Sequence, residues 1–382
     1  MQSHTPQRPA VSDKAFGHAL PHADTEQFLQ VIHGKALFNR SWTQSQGLGP
    51  HFNASACADC HFRDGRGAPD NGSAPLIYRL ERADGGQHLP LGPQLQERSL
   101  LGAGEGWVSV TYKQLNGQLA DGSPYALLRP RYTLRAAQVD APLTLGPRIP
   151  PALVGLGLLE GVPVGTILEW ADPHDQDGDG VSGRASWQGD PTNRQLGRFG
   201  WRASQTSLKA QIAGALREDM GLQTPREVSP AALSRLVTYV RLLAPPAARV
   251  EHPLYRVGQS LFEAIGCASC HRPTLEASDP VDASAKRTIY PYTDLLLHDL
   301  GPALGDGEGR REQSREWRTA PLWGLGLLPV VNGELRLLHD GRARSFEQAI
   351  LWHGGEADGS REAYRQLPAQ QRKALLAFLR SI

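Results

Sequence analysis

The sequence predicts a mainly α-helical protein made of two similar halves, the first enlarged by an insertion. Three observations carry that expectation. A five-residue motif holding two cysteines and a histidine occurs once in each half. Segments before and after each motif recur in the same order. Each half also closes on an apolar periodicity of three to four residues, the mark of an amphipathic helix.

All four cysteines lie in the two motifs, Cys57-Ala-Asp-Cys60-His61 and Cys267-Ala-Ser-Cys270-His271. This C-x-x-C-H pattern attaches haem c. Two thiols three positions apart on one helical turn reach the two vinyl groups of one porphyrin. The following imidazole then meets the iron from the same side, the usual proximal ligand. A zinc ribbon would place its cysteine pairs roughly 15–20 residues apart, far closer than these. A thioredoxin-like redox motif would need a βαβ context that the chain does not offer. Four cysteines in 382 residues are too few for a disulfide-stapled fold. Two covalently bound haems c are therefore expected.

The repeats extend beyond the motifs. Gly34-Lys-Ala-Leu-Phe38 precedes the first and Gly258-Gln-Ser-Leu-Phe262 the second, each inside a helical apolar pattern. Arg148-Ile-Pro-Pro-Ala-Leu-Val-Gly-Leu-Gly-Leu-Leu159 recurs, one residue shorter, as Arg318-Thr-Ala-Pro-Leu-Trp-Gly-Leu-Gly-Leu-Leu328. Phe199-Gly-Trp-Arg-Ala203 with Ser207-Leu208 parallels His339-Asp-Gly-Arg-Ala343 with Ser345-Phe346. Closing helices are predicted from Pro230, after a Ser229 cap, and from Pro368. The stiff stretch Leu243-Ala-Pro-Pro-Ala-Ala-Arg249 marks a linker. The predicted organisation is a flexible segment over 1–24, a first domain over 25–245 with an insertion at about 65–147, and a second domain over 250–382. The insertion lacks helical periodicity and reads as turns with a few strands.

Hydrophobic residues make up 40% and charged residues 21%, ordinary for a globular protein. A net charge of +1 gives no argument for nucleic acid or an anionic membrane as partner. No apolar run approaches the roughly 20 residues of a membrane-spanning helix. Met1 through Thr25 contain no apolar signal core, so either such a signal has been removed or the chain has none. Oligomeric state is not legible.

The two motifs, the Arg318-Thr-Ala-Pro-Leu-Trp-Gly-Leu-Gly326 segment and Leu338-His-Asp-Gly-Arg-Ala-Arg-Ser-Phe-Glu-Gln-Ala-Ile-Leu-Trp-His-Gly-Gly355 resemble the bacterial di-haem oxidoreductases. That family was once labelled thiol oxidoreductase and is related to di-haem cytochrome c peroxidases and the MauG enzymes. The resemblance runs from about residue 25 to 382. It implies two cytochrome c-like haem domains, a periplasmic setting, and a redox partner protein such as a small cytochrome or cupredoxin.

An electron-transfer haem usually has two axial protein ligands, and a reactive one keeps a face open. In the related peroxidases the position seven after the residue matched by Phe346 carries the second ligand of the electron-transfer haem. The resemblance thus implies that His353 ligates the haem on His271, giving a lower potential than a His/Met pair. His339 is the rival, although the family pattern puts it in a loop near the domain interface, and His353 could instead pack in its glycine-rich turn. The same count from Leu208 gives Ala215, which cannot ligate. The haem on His61 is therefore expected to be open, unless Met220, His51 or His88 reaches it. The relatives place a glutamate where Lys209 stands, which weakens a peroxidase reading. Glu160 is the best substitute as an acid–base group, with a hydrogen-bonded structural role as the alternative. Trp201 and Trp323 are electron relays or plain core.

Asp175-Gln-Asp177-Gly-Asp179-Gly180 begins like a calcium loop, with carboxylates at alternate positions before a glycine. The closing glutamate is missing, and an acidic surface turn is the alternative. Together these features predict an electron-passing di-haem oxidoreductase with a peroxidase-like reactive centre at the first haem. A pure electron carrier and a redox- or iron-sensing envelope protein are the other readings.

Overall fold

A computed structural model describes residues 11–21, 23–67, 76–82, 91–136, 143–307 and 314–382. The expectation of a mainly α protein is not met: of the described residues, 32% are helical and 20% strand. Among the described residues the strands lie in six small sheets, five of them two-stranded. Most come from segments of two to six residues, too short to show a period in the sequence. In the second half, Leu275–Ser278 pairs with Lys286–Ile289, and Leu297–Asp299 with Glu316–Arg318.

The helices fall into two matching sets. In the first half they are α1 (Thr25–Phe38), α2 (Cys57–Cys60), α3 (Leu156–Glu160), α4 (Val164–Leu168), α5 (Leu208–Met220) and α6 (Pro230–Arg241). In the second they are α7 (Tyr255–Ala264), α8 (Leu328–Asn332), α9 (Phe346–Trp352), α10 (Asp358–Gln366) and α11 (Ala369–Leu379). Local signals set several starts. Asp24 caps α1 in a capping box with Gln27, and Ser229 caps α6 ahead of Pro230. Ser207 and Ser345 cap α5 and α9 identically, each accepting from the backbone N–H three residues on.

Repeated glycines have a steric reason. α1 crosses α6 at Gly34, where a Cβ would stand 2.3 Å from the Arg235 carbonyl oxygen. α7 crosses α11 at Gly258, where a Cβ would stand 2.3 Å from that of Ala374. Phe38 packs on Tyr239 at 5.3 Å between ring centroids, and Phe262 on Phe378 at 5.4 Å. Each such ring, taken out of water, contributes about 1.5–3 kcal/mol.

The largest core cluster draws on both halves, joining Phe16, Val154 and Leu159 to Phe262, Trp352 and Phe378. Phe16 and Leu20 are buried there, and Ala19 bridges to Leu243. Residues 11–21 of the segment expected to be flexible are therefore packed. The insertion forms a long hairpin of Gly106–Gln118 against Pro124–Ala136. Its turn reaches the second half: Asp121 pairs with Arg372 at 2.8 Å, and Ala126 O accepts from Gln348 Nε2 at 3.1 Å. Among the described residues, no helix is long and apolar enough to cross a membrane.

Candidate functional site

The first motif is folded by Asp59, whose carboxylate accepts from the backbone N–H of Ser55 and Ala56 at 3.0 and 2.9 Å. That turn sets Cys57, Cys60 and His61 on the wall of one cavity. Burial pushes the Cys57 thiol up to about 12 and raises Cys60 as well. It pulls His61 down to about 4, so its imidazole is neutral, the form that ligates metal. The ring leans on Phe38, 6.3 Å between centroids, and its Nδ1 has no hydrogen-bond partner.

The second motif faces a second cavity, which His271 and His353 both line. His271 Nδ1 lies 2.9 Å from Tyr292 O, and His353 Nδ1 lies 2.7 Å from Ala349 O. A carbonyl only accepts, so each proton sits on Nδ1 and each Nε2 keeps its lone pair free. Burial lowers both groups, His271 to about 4. On α5 the position matching His353 is Ala215, on the wall of the first cavity.

The free space in the two cavities is about 170 and 210 Å³, and apolar side chains make up most of both walls. Arg66, Trp201, Arg318, Ala320, Pro321 and Leu325 line both, so the cavities share a wall. Arg66 stacks over Trp201 at 5.0 Å and donates to Leu338 O, and its Nε has no partner. Arg318 donates only to carbonyls, Gly200 O at 2.9 Å and Thr319 O at 3.2 Å. Neither has a carboxylate in ion-pair range among the described residues. Desolvation pulls them down to about 9 and about 10. Buried cations without anions cost several kcal/mol, and the propionates of a haem would supply the missing carboxylates. Paired thiols, neutral imidazoles, apolar walls and unmatched guanidinium groups all fit haem. Arg148, which the repeat aligns with Arg318, is instead ion-paired to Asp306.

Beside Cys270, His298 is held between Asp294 (2.8 Å) and Glu356 (2.6 Å). These partners raise it well above the ordinary histidine value against the cost of burial, and Glu356 is held down at about 2. Glu356 also accepts from Ser182, just beyond the acidic loop. His339 stacks on Trp317 at 3.7 Å and lines the second cavity, and its carbonyl accepts from Ile149 of the first half.

Other expected residues are placed differently. Glu160 is not on a cavity wall: Arg241 pairs with it at 2.7 Å, and its other oxygen accepts from Leu208 N at 2.9 Å. That is the structural role, bracing α3 against α5 and α6. Met220 lines the first cavity, as does Trp323, whose Nε1 donates to Val154 O. His51 pairs with Ser99 in a sheet and lines neither cavity. His88 lies outside the described residues. In the acidic loop, Asp172, Asp175 and Asp177 converge within 4.8 Å. Asp179, expected among them, accepts instead from Val181 N at 2.8 Å.

The sequence reading missed Asp219, Arg66, Arg318 and His298. Asp219 is the one carboxylate lining the first cavity among the described residues. Burial pushes it up to about 6, against a hydrogen bond from Gln94 at 2.5 Å. Its place one residue before Met220 on α5 was the available signal.

A search of curated proteins finds no match. Among solved structures, the chain is similar to hydrazine synthase of Kuenenia stuttgartiensis, pressurized with 20 bar xenon. That likeness is 16% identity at a TM-score of 0.44, over 100% of this chain and 96% of the other, and supports no argument. The profile of the family described as "Di-haem oxidoreductase, putative peroxidase" matches residues 131–230 and 227–382. With two cavities each built on a Cys-Cys-His motif and a profile match over most of its length, the chain belongs to the di-haem oxidoreductase family.

Proposed function

We propose that each cysteine pair binds one haem c covalently, and that the two centres divide the work of a peroxidase-like redox enzyme. The second takes electrons from an outside donor protein, and the first meets the substrate. The observation that carries this reading is the asymmetry between His353 and Ala215 at matched positions. When bound, each haem supplies a one-electron iron couple. The chain does the rest. His271 and His353, which line one cavity, would both hold the iron of a haem bound there and so keep substrate away from it. His61 would offer a single imidazole, in a cavity whose wall also carries Leu208, Gln211, Ile212 and Ala215 of α5. Asp219, whose carboxyl burial raises to about 6, would take and return a proton from the wall of that cavity. Trp201, in the shared wall, lies between the centres. A periplasmic setting is part of the proposal, since haem c is normally attached outside the cytoplasm.

The experiment is low-temperature EPR on oxidised protein, with cyanide added. One high-spin and one low-spin signal are expected, with cyanide converting only the high-spin one. Two low-spin signals and no cyanide binding would overturn the open-face reading. They would favour a pure electron carrier, for which Met220 on the first cavity wall is the specific support.

Calcium at Asp172, Asp175 and Asp177 belongs to the same proposal, the carboxylate oxygens being the hard donors that ion takes. Added calcium is expected to raise the melting temperature, and Asp175→Asn to abolish that rise. An unchanged melting temperature in the parent protein would remove calcium from the account.

A further inference from the structure

Arg272 follows His271 directly and does not line the second cavity. Its guanidinium lies over the indole of Trp170, 3.9 Å from the ring centroid. Trp170 is 41% exposed. Just before it, α4 exposes Val164 and Leu168, at 41% and 36%. Glu169, Asp177 and Asp179 are exposed beside them, with Asp172 and Asp175 partly so. From residue 161 to 183 the sequence holds these five acids and no lysine or arginine, so a calcium ion at Asp172, Asp175 and Asp177 would still leave the segment negative. The chain as a whole carries a net charge of +1, so the acidity is local.

The two cavities use none of these side chains. An aromatic and two aliphatic groups beside a run of acids, with the Arg272 guanidinium stacked on the aromatic, have the anatomy of an interface. Complementary charge would steer a basic partner to it and repel an acidic one. The stacked pair Trp170–Arg272 then connects that surface to the residue next to the proximal histidine of the second haem.

We propose that this patch docks a small redox protein whose cofactor edge is ringed by lysines, and that Trp170 and Arg272 form the port to the haem on His271. The proposal rests on that haem being the electron-entry centre. One electron leaves the partner's reduced metal, which is oxidised by one unit, and the ferric iron held by His271 becomes ferrous. No bond is made or broken. Electrons use the same port in the reverse direction, so an oxidised partner can serve as probe.

The test is stopped-flow mixing of the reduced holoprotein with an oxidised, lysine-ringed small cytochrome c, following both haems of the protein by their spectra. The rate constant is expected to fall steeply as salt rises. Trp170→Ala and Glu169→Lys should each lower it about tenfold at low salt. Oxidation by a neutral small quinone should be unchanged in both variants, which shows that the haems and fold are intact. Equal rates for parent and variants would overturn the docking face while leaving the entry haem in place. Oxidation of the haem on His61 before that on His271 in the parent protein would overturn the entry-haem reading, and the port with it.

Discussion

Replacing His353 with alanine is expected to turn one low-spin ferric signal into a high-spin one and to leave the other centre unchanged. The imidazole is fixed by its Nδ1 contact to Ala349 O, 2.7 Å away, so its Nε2 has one orientation to offer. Its removal leaves the second cavity with a single imidazole, His271, still held by Tyr292 O. That reproduces in the second half what Ala215 does in the first. Cyanide should then bind at two sites per chain rather than one. His353→Met should keep the low-spin state and raise the potential of that haem, because a thioether favours the ferrous iron more than imidazole does. Unchanged EPR spectra in His353→Ala would remove His353 as a ligand.

Asp219→Asn is expected to lower kcat/KM with hydrogen peroxide by about 10²–10⁴-fold, the usual loss when a positioned acid–base group is removed. The parent protein should lose activity as pH falls through about 6, where Asp219 takes up its proton and can no longer act as a base. In the variant that inflection should vanish. Stability should move in the opposite direction. Burial raises this carboxyl above its unfolded value, so the folded protein binds the proton more tightly and loses stability as pH rises from about 4 to about 6. Asparagine carries no charge to bury, and at neutral pH the variant should gain up to about 3 kcal/mol. Falling activity with rising stability separates proton handling from misfolding. An undiminished kcat/KM with the same pH profile would exclude Asp219 from the chemistry.

The periodic and repeated features were legible because they depend on nearby residues. Gly34 and Gly258, and Ser207 and Ser345, stood out as repeats, while the Ser229 cap and the two cysteine pairs each state their role within a few positions. His353 was singled out by the resemblance to the related peroxidases, at the position seven after Phe346. Features that depend on distant packing were not legible. Arg66 reaches Leu338 O across 272 residues, and nothing near it in sequence announces burial. Glu160 misled through its neighbours: Leu158 and Leu159 are buried, but Arg241 from α6 arrives to pair with it. The strands failed for a related reason. The insertion at about 65–147 was read as turns with a few strands, yet the pairing of Gly106–Gln118 with Pro124–Ala136 and its reach to Arg372 come only from the folded chain.

The common wall of Arg66, Trp201 and Arg318 has a thermodynamic consequence. Charge added in one of two cavities that share a wall of partly and fully buried side chains is poorly screened in the other. Uptake of the first electron should therefore make uptake of the second harder, an anticooperative reduction. The two midpoint potentials would then belong to the pair rather than to either iron, as coupled titrations do. A substitution in the shared wall, such as Arg318→Gln, would move both at once.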